Sequence, residues 1–373
     1  MIIAGEVSGD LHGAHLITEI LKMNPSINIY GIGGDKMKAA GMNAAYHINK
    51  MAFLGFTEVV KHIPFIKKVQ YHLLSIIKEK NIKEIVLIDY PGFNLNFAKK
   101  LKKLGIKIIY YISPQIWAWG AGRIKKIKRL VSKMIVVFPF EKEFYKNAGV
   151  DAEFVGHPLI EQIENYKLLS RDELYNLFKL DSGKDILLIL PGSRKHEVEN
   201  LLPETLKAAK KICGEFNLQT VIAGSENIDD VEFDKFRDSF DFKVIAGRTY
   251  DLMNIARFGI IKSGTSTLEA GLFKLPMVVV YKTSALTYLI GKSLIKLDNI
   301  GMVNIISGKK VVPEVIQSAV NAENIFNECK KILTDKELYN SIKEKLSSIK
   351  YILGSAGASQ KAASIIIAEM NAA

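Results

Sequence analysis

The chain reads as an α/β protein built from two successive doubly wound domains. Short, wholly apolar strand runs recur in both halves, and each is closed by glycine or small hydroxylic residues and followed by a helical pattern. Its 373 residues also exceed what one core usually holds. With 48% apolar and 24% charged residues the composition is that of an ordinary globular chain. Domain limits are expected at 1–160 and 161–350, with 351–373 as a closing helix.

The clearest unit is Ile186-Leu187-Leu188-Ile189-Leu190, the turn Pro191-Gly192-Ser193-Arg194, and Lys195-His196-Glu197-Val198 opening a helix. Five consecutive apolar residues suit a parallel strand covered on both faces, and Ser193 is placed to cap the helix. Amide dipoles at such a terminus, with Arg194 beside them, attract phosphate. An ordinary strand-to-helix turn with a solvated Arg fits the same residues. A second cradle follows in Lys262-Ser263-Gly264-Thr265-Ser266-Thr267-Leu268-Glu269. Here Glu269, one helical turn in, can accept both hydroxyls of a ribose while the turn amides hold phosphate. Two cradles in one domain favour a nucleotide diphosphate over a lone anion. Around them lie expected strands at Gln219 to Ala223, Phe242 to Ala246, Gly259 to Ile261 and Met277 to Tyr281, and capping boxes at Ser170/Glu173 and Thr334/Glu337.

In the first half, Ile2-Ile3-Ala4 feeds the loop Gly5-Glu6-Val7-Ser8-Gly9-Asp10 and a helix from Leu11 to Met23; Ile27 to Tyr30 is the next expected strand. The two glycine-rich loops lack a full dinucleotide fingerprint and its following acid, which discounts a nicotinamide enzyme. Ile85 to Ile88 is a strand ending in Asp89-Tyr90-Pro91. A carboxylate at that strand end lies where ligands bind in open α/β sheets, so Asp89 is a candidate for chemistry as well as for helix capping. After the strand Ile108 to Ile112, one loop holds both tryptophans, Trp117 and Trp119, as floor packing or as flat walls for a sugar or acyl chain. A strand from Met134 to Phe138 and a helix from Glu141 lead to Phe154-Val155-Gly156-His157-Pro158, the expected crossing between domains. There His157 fits either acid–base or structural work.

Charge and hydropathy limit the partners. Net charge is +12, and the stretch from Tyr90 to Phe140 holds eleven cations, Arg123 among them, and no acid. Nucleic acid, an anionic membrane and a merely solvated surface all fit that run. Between Asn49 and Leu74, Phe53, Leu54, Phe56, Phe65 and Ile66 crowd among lysines, as a buried helix face or as an exposed lipid-binding patch. The chain starts directly in a strand with no charged leader, and no apolar run approaches the roughly 20 residues that span a bilayer. Contact with a membrane without crossing it is expected. Cys213 and Cys329 stand far apart in helical segments, which predicts reduced thiols and a reducing compartment rather than a disulfide or a metal site.

Taken in order, Ala4-Gly5-Glu6-Val7-Ser8-Gly9-Asp10, Ser113-Pro114-Gln115-Ile116-Trp117-Ala118-Trp119, Phe154 to Leu159, Leu190-Pro191-Gly192-Ser193-Arg194 and Ser263-Gly264-Thr265-Ser266-Thr267-Leu268-Glu269 resemble the signature runs of the lipid-A-disaccharide synthases. The Trp-Ala-Trp loop and the opening run are the specific parts; the Ser-Gly-Thr cradle is shared with other sugar-nucleotide transferases. Gln115 departs from the small residue common in its loop, and the first strand is shorter than usual, as from a truncated start. The resemblance implies a GT-B glycosyltransferase: two Rossmann-like domains facing a cleft, with a C-terminal helix crossing back to the first domain or swapped to a partner in a homodimer. It implies transfer of 2,3-diacylglucosamine from UDP-2,3-diacylglucosamine to the 6-hydroxyl of 2,3-diacylglucosamine 1-phosphate, with inversion, without metal or cofactor, on the cytoplasmic face of the inner membrane. It makes Asp89 the base, with Glu6 or Asp10 as alternates, and Arg194 the leaving-group clamp. Ser193, Gly264, Thr265, Ser266 and Glu269 would hold UDP. On resemblance alone, Asn304, Glu314 and Gln317 would join them. The greasy segment would then receive acyl chains and the basic run would face anionic headgroups. A UDP-sugar 2-epimerase of the same architecture is the nearest rival, with no use for an acyl-binding segment. A basic nucleic-acid-binding module is the other; no RNA- or DNA-binding motif supports it, so no nucleic acid is expected as a partner.

Overall fold

The computed structural model describes residues 1–51, 62–117, 121–225, 228–237, 240–283 and 299–372. They form two compact units, Met1–Gln162 with Leu353–Ala373, and Ile163–Ile352. The first holds a parallel sheet of seven described strands: β1 (Ile2–Ala4), β2 (Tyr30–Gly33), β3 (Asn43–His47), β4 (Glu84–Ile88), β5 (Lys107–Tyr111), β6 (Lys133–Val136) and β7 (Ala152–Phe154). Their spatial order is β3-β2-β1-β4-β5-β6-β7. The second holds β8 (Asp185–Leu190), β9 (Leu218–Gly224), β10 (Lys243–Ala246), β11 (Phe258–Lys262), β12 (Met277–Tyr281) and β13 (Glu314–Ile316), in the order β10-β9-β8-β11-β12-β13. Both are doubly wound sheets, and each has one point where the winding reverses, between β1 and β4 and between β8 and β11.

Central strands are wholly buried, as their apolar runs dictate: Ile186 to Ile189 and Ile85, Leu87 and Ile88 show no exposure. The three strands that the sequence pattern does not announce, β3, β7 and β13, are the edges at which each run of strands ends. Half-covered, they carry mixed sequences instead of apolar runs. β2 lies three residues later than the apolar run Ile27 to Tyr30 suggests. It enlists Gly31, where a Cβ would overlap the carbonyl of Ile2 on the neighbouring strand, so only glycine permits that approach.

Helix starts differ from expectation in instructive ways. The first helix begins at Val7, so Gly9 and Asp10 lie within it and not in a loop. Thr334 ends one helix with its hydroxyl on the carbonyl of Lys330, and it is Asp335 that caps the next through the amide of Leu338. The Ser170/Glu173 box forms as expected. In the first unit the last helix, Ala358–Asn371, packs along Val7–Met23 through buried Ala358, Ala362, Ala363 and Ile366. Lys107 anchors it, reaching the Glu369 carboxylate at 2.8 Å and Glu84 at 3.6 Å.

No described helix is long and apolar enough to cross a membrane.

Candidate active site

At the reversal point of the first sheet, β1 and β4 run side by side with Ala4 level with Ile88, so the two strands deliver Glu6 and Asp89 to the same end of the sheet. Asp89 and Tyr90 both take left-handed backbone angles, φ 41° and 46°, a costly conformation for two successive side-chain-bearing residues. The surroundings enforce it. Fully buried Asn94 donates from Nδ2 to the carbonyls of Asp89 at 2.7 Å and Ile88 at 3.1 Å, and the Tyr110 hydroxyl donates to the Asp89 carbonyl as well. The Tyr90 hydroxyl donates to the carbonyl of Met51 at 2.8 Å, and the Tyr90 ring occupies the space that a Cβ on Gly5 would need. Tyr90, not Asp89, stands at the N-cap of the Pro91–Lys103 helix, so the Asp89 carboxylate is not spent on capping. Burial and then the charge of Glu6 push the Asp89 carboxyl up to about 6, against a lowering bond from the Tyr90 amide.

Asp10 is committed elsewhere. Its carboxylate accepts from the amides of Gly34 at 2.6 Å, Met37 at 3.0 Å and Lys36 at 3.2 Å, closing the start of the Asp35–Ala39 helix. His157 is also structural: burial and then His12 drive it down to about 3, and its Nδ1 accepts from the amide of Leu159. Trp117 donates from Nε1 to buried Glu141 at 2.9 Å and meets the Phe140 ring edge-on. Phe65 and Ile66 lie half-buried against the core in the Ile63–Glu79 helix. Phe53, Leu54, Phe56 and Trp119 lie outside the described residues. Arg123 precedes the Ile124–Leu130 helix, whose Lys126 is lowered by burial and then by Lys99, Arg123 and Arg129.

The second unit carries its own candidate site. Because β8 pairs with β11, with Leu190 level with Ile261, their two turns and following helices, Lys195–Phe216 and Thr265–Leu272, open side by side. Between them lies a cleft of about 600 Å³ lined by Gly192, Ser193, Arg194, Gly264, Thr265, Ser266 and Glu269, joined by Glu197, Tyr250, Lys262 and the β9 end Ala223 to Ser225. Gly264 adopts φ 156° and ψ −163°, an angle pair that is essentially glycine's alone. Arg194 occupies the N-cap where Ser193 was expected, and the Ser193 amide is held by Glu197. Half-buried Glu269 accepts from the Tyr250 hydroxyl at 3.0 Å, and desolvation raises its carboxyl despite that bond.

Asn304, Glu314 and Gln317 do not line this cleft among the described residues. Asn304 is fully buried and accepts from the amides of Val311 and Val312; Glu314 accepts from those of Ile300 and Gly301 and from Asn304. Gln317 accepts from the amide of Thr283. All three fasten backbone. Glu197 and Lys262 were missed as site members: Glu197 stands four residues after Ser193, one beyond capping-box spacing. Tyr250 reaches the cleft from the separate Thr249–Ile255 helix and left no sequence signal. Among the described residues no group of three or more His, Cys, Asp or Glu is arranged to hold a metal ion.

Two doubly wound parallel sheets, with twin helix termini opening at the reversal point of the second, are the architecture of the GT-B fold. Solved structures agree on the fold: the UDP-GlcNAc 2-epimerase of Neisseria meningitidis matches with a TM-score of 0.69 at 13% identity, covering 98% of this chain and 98% of that one. The calicheamicin glycosyltransferase CalG4 matches at 0.61 and 13%, covering 99% and 97%. Sequence is more specific. The model of the lipid-A-disaccharide synthetase family matches residues 1–370. Lipid-A-disaccharide synthases from Geobacter sulfurreducens and Syntrophus aciditrophicus are 40% and 43% identical over 370 residues, covering 98% and 97% of this chain and 96% and 95% of theirs. The chain belongs to the lipid-A-disaccharide synthase family of hexosyltransferases.

Since Asn94 holds two strand-end carbonyls, Asn94→Ala should destabilise the protein by about 1–3 kcal/mol in urea unfolding. Turnover should fall with it, because Asp89 loses its enforced backbone; an unchanged unfolding midpoint would contradict the assignment.

Proposed function

We propose that this enzyme transfers 2,3-diacylglucosamine from UDP to the 6-hydroxyl of 2,3-diacylglucosamine 1-phosphate, with inversion at the anomeric carbon. The single observation that carries the reading is the twin cradle of the second sheet, in a chain whose family carries out lipid A disaccharide synthesis. The Ser193 hydroxyl and the turn amides at Gly264 to Ser266, with Arg194, hold the diphosphate and stabilise the charge that develops on the departing UDP. Glu269, kept in place by Tyr250, accepts the ribose hydroxyls. In the first unit Asp89 takes the proton of the attacking hydroxyl; its raised pKa makes it a competent base near neutral pH. Glu6 tunes it by like-charge repulsion.

Binding at the cytoplasmic face of the inner membrane suits lipid-borne substrates. Support comes from the Ile63–Glu79 helix, where Ile63 and Tyr71 are exposed, with Lys100 over the Tyr71 ring at 4.5 Å, and from the basic Ile124–Leu130 helix. Local acids spend two cations of the run, Lys107 and Lys133, and so narrow the patch to the helix surfaces. The epimerase likeness rests on fold alone at 13% identity, whereas the sequence relatives are synthases.

Incubation with UDP-2,3-diacylglucosamine tests the reaction: UDP release that requires the acceptor sugar phosphate supports transfer, and an epimerised sugar without acceptor would contradict it. Asp89→Asn should lower kcat at least about 100-fold while UDP affinity stays within about twofold. For the unsubstituted enzyme, kcat/KM should fall as pH drops through about 6, where Asp89 gains its proton. Glu6→Gln removes a charge that raises Asp89, so this acid limb should move to lower pH; a limb that stays put would exclude the pair. Replacing Phe53 and Phe56 by Ser should reduce sedimentation with anionic lipid vesicles, and equal partition would refute a membrane role for that segment.

A further inference from the structure

The two cradles of the second unit are already bridged by the protein itself. Glu197, in the first turn of the Lys195–Phe216 helix, folds back so that one carboxylate oxygen accepts from the Ser193 amide at 3.0 Å while the other meets the Lys262 ammonium at 2.8 Å. Lys262 is the last residue of β11 and its ammonium passes over the Gly264 turn, 3.9 Å from where a Cβ there would lie. The fold clears room for this arrangement. Gly192 has φ 117°, and a Cβ on it would overlap the Glu197 carboxylate. Both side chains are largely shielded, with 23% of Lys262 and 11% of Glu197 exposed.

A carboxylate on a turn amide, paired with a cation from the adjoining turn, reproduces the contacts a phosphate would make in the same place. Burial raises the Glu197 carboxyl, but Lys262, the Ser193 amide and Arg194 together more than offset it and hold it below the ordinary range. Lys262 is thus spent on Glu197, and its charge adds to the attraction of a dianionic ligand only when that pair opens. We propose that Lys262 is an exchangeable cation of the cradle and Glu197 its internal counter-anion: Lys262 passes from Glu197 to the diphosphate as UDP enters, and Glu197 reclaims it as UDP leaves. No bond is made or broken; the pair sets how tightly product is held, and so how fast it departs.

The inference rests on the cleft being the UDP site, and calorimetric titration of the full chain with UDP separates the two claims. Glu197→Gln keeps an oxygen for the Ser193 amide and removes only the charge, so UDP should bind about five- to tenfold tighter, the scale of one like-charge pair largely screened by water. Lys262→Met keeps the stem and removes the cation, so UDP should bind about tenfold more weakly. Uridine, which lacks the diphosphate, should bind all three proteins alike. A purely structural ion pair would instead lower the thermal midpoint in both variants and move UDP affinity in the same direction in both. Equal or weaker UDP binding by Glu197→Gln at an unchanged thermal midpoint overturns the proposal. Should Glu197→Gln not fold, Lys262→Met decides alone, since undiminished UDP affinity there overturns it equally. Absence of UDP binding by the unsubstituted protein removes the cleft assignment and this inference together.

Discussion

Where a parallel sheet reverses its winding, the connections from two neighbouring strands leave in opposite directions, and nothing in the backbone fills the gap between them. Both candidate sites of this molecule depend on that constraint. In the second sheet the reversal falls between β8 and β11 and sets two helix N-termini at adjoining strand ends. Each terminus brings amides without intrahelical partners and the positive end of a dipole. In the first sheet it falls between β1 and β4 and brings Glu6 and Asp89 to one end. One geometric rule thus yields an anion cradle in one unit and a pair of carboxylates in the other, and the residues at the strand ends decide which.

The chemistry is divided among carboxylates by their surroundings. Asp10, tied to three backbone amides, is fixed as a connector. Glu197 has an ammonium and an amide and is held charged. Asp89 has burial and the Glu6 charge beside it, which outweigh the bond from the Tyr90 amide, so its proton affinity rises. Glu141 shows that a raised pKa is not by itself a sign of catalysis. Burial lifts it to about 7, yet its oxygens are fully occupied by the Ser113 hydroxyl, the Trp117 indole and the Phe138 amide, and its task is to hold a loop.

The fold was legible wherever strands are buried on both faces. Met277 to Tyr281 and Ile2 to Ala4 have the bounds that their apolar runs suggest, because a covered parallel strand has no polar face to blur its ends. Edge strands such as Asn43–His47 escaped, since partial exposure permits polar residues that look like loop. Asp89, Arg194 and the Gly264 turn stand just beyond strand ends, a position legible in the sequence. What could not be found depends on side-chain direction. Asn304 and Glu314 point inward to backbone, Lys262 crosses to a neighbouring turn, and Tyr250 arrives from another strand's helix. Spacing along one chain carries no information about such crossings.

A crystal structure of the protein soaked with UDP tests the central claim most directly. The account predicts the diphosphate between the Ser193–Arg194 turn and the Gly264–Ser266 turn, with the ribose hydroxyls on Glu269. Density for UDP at any other place on the molecule, with these two turns left bare, would contradict it.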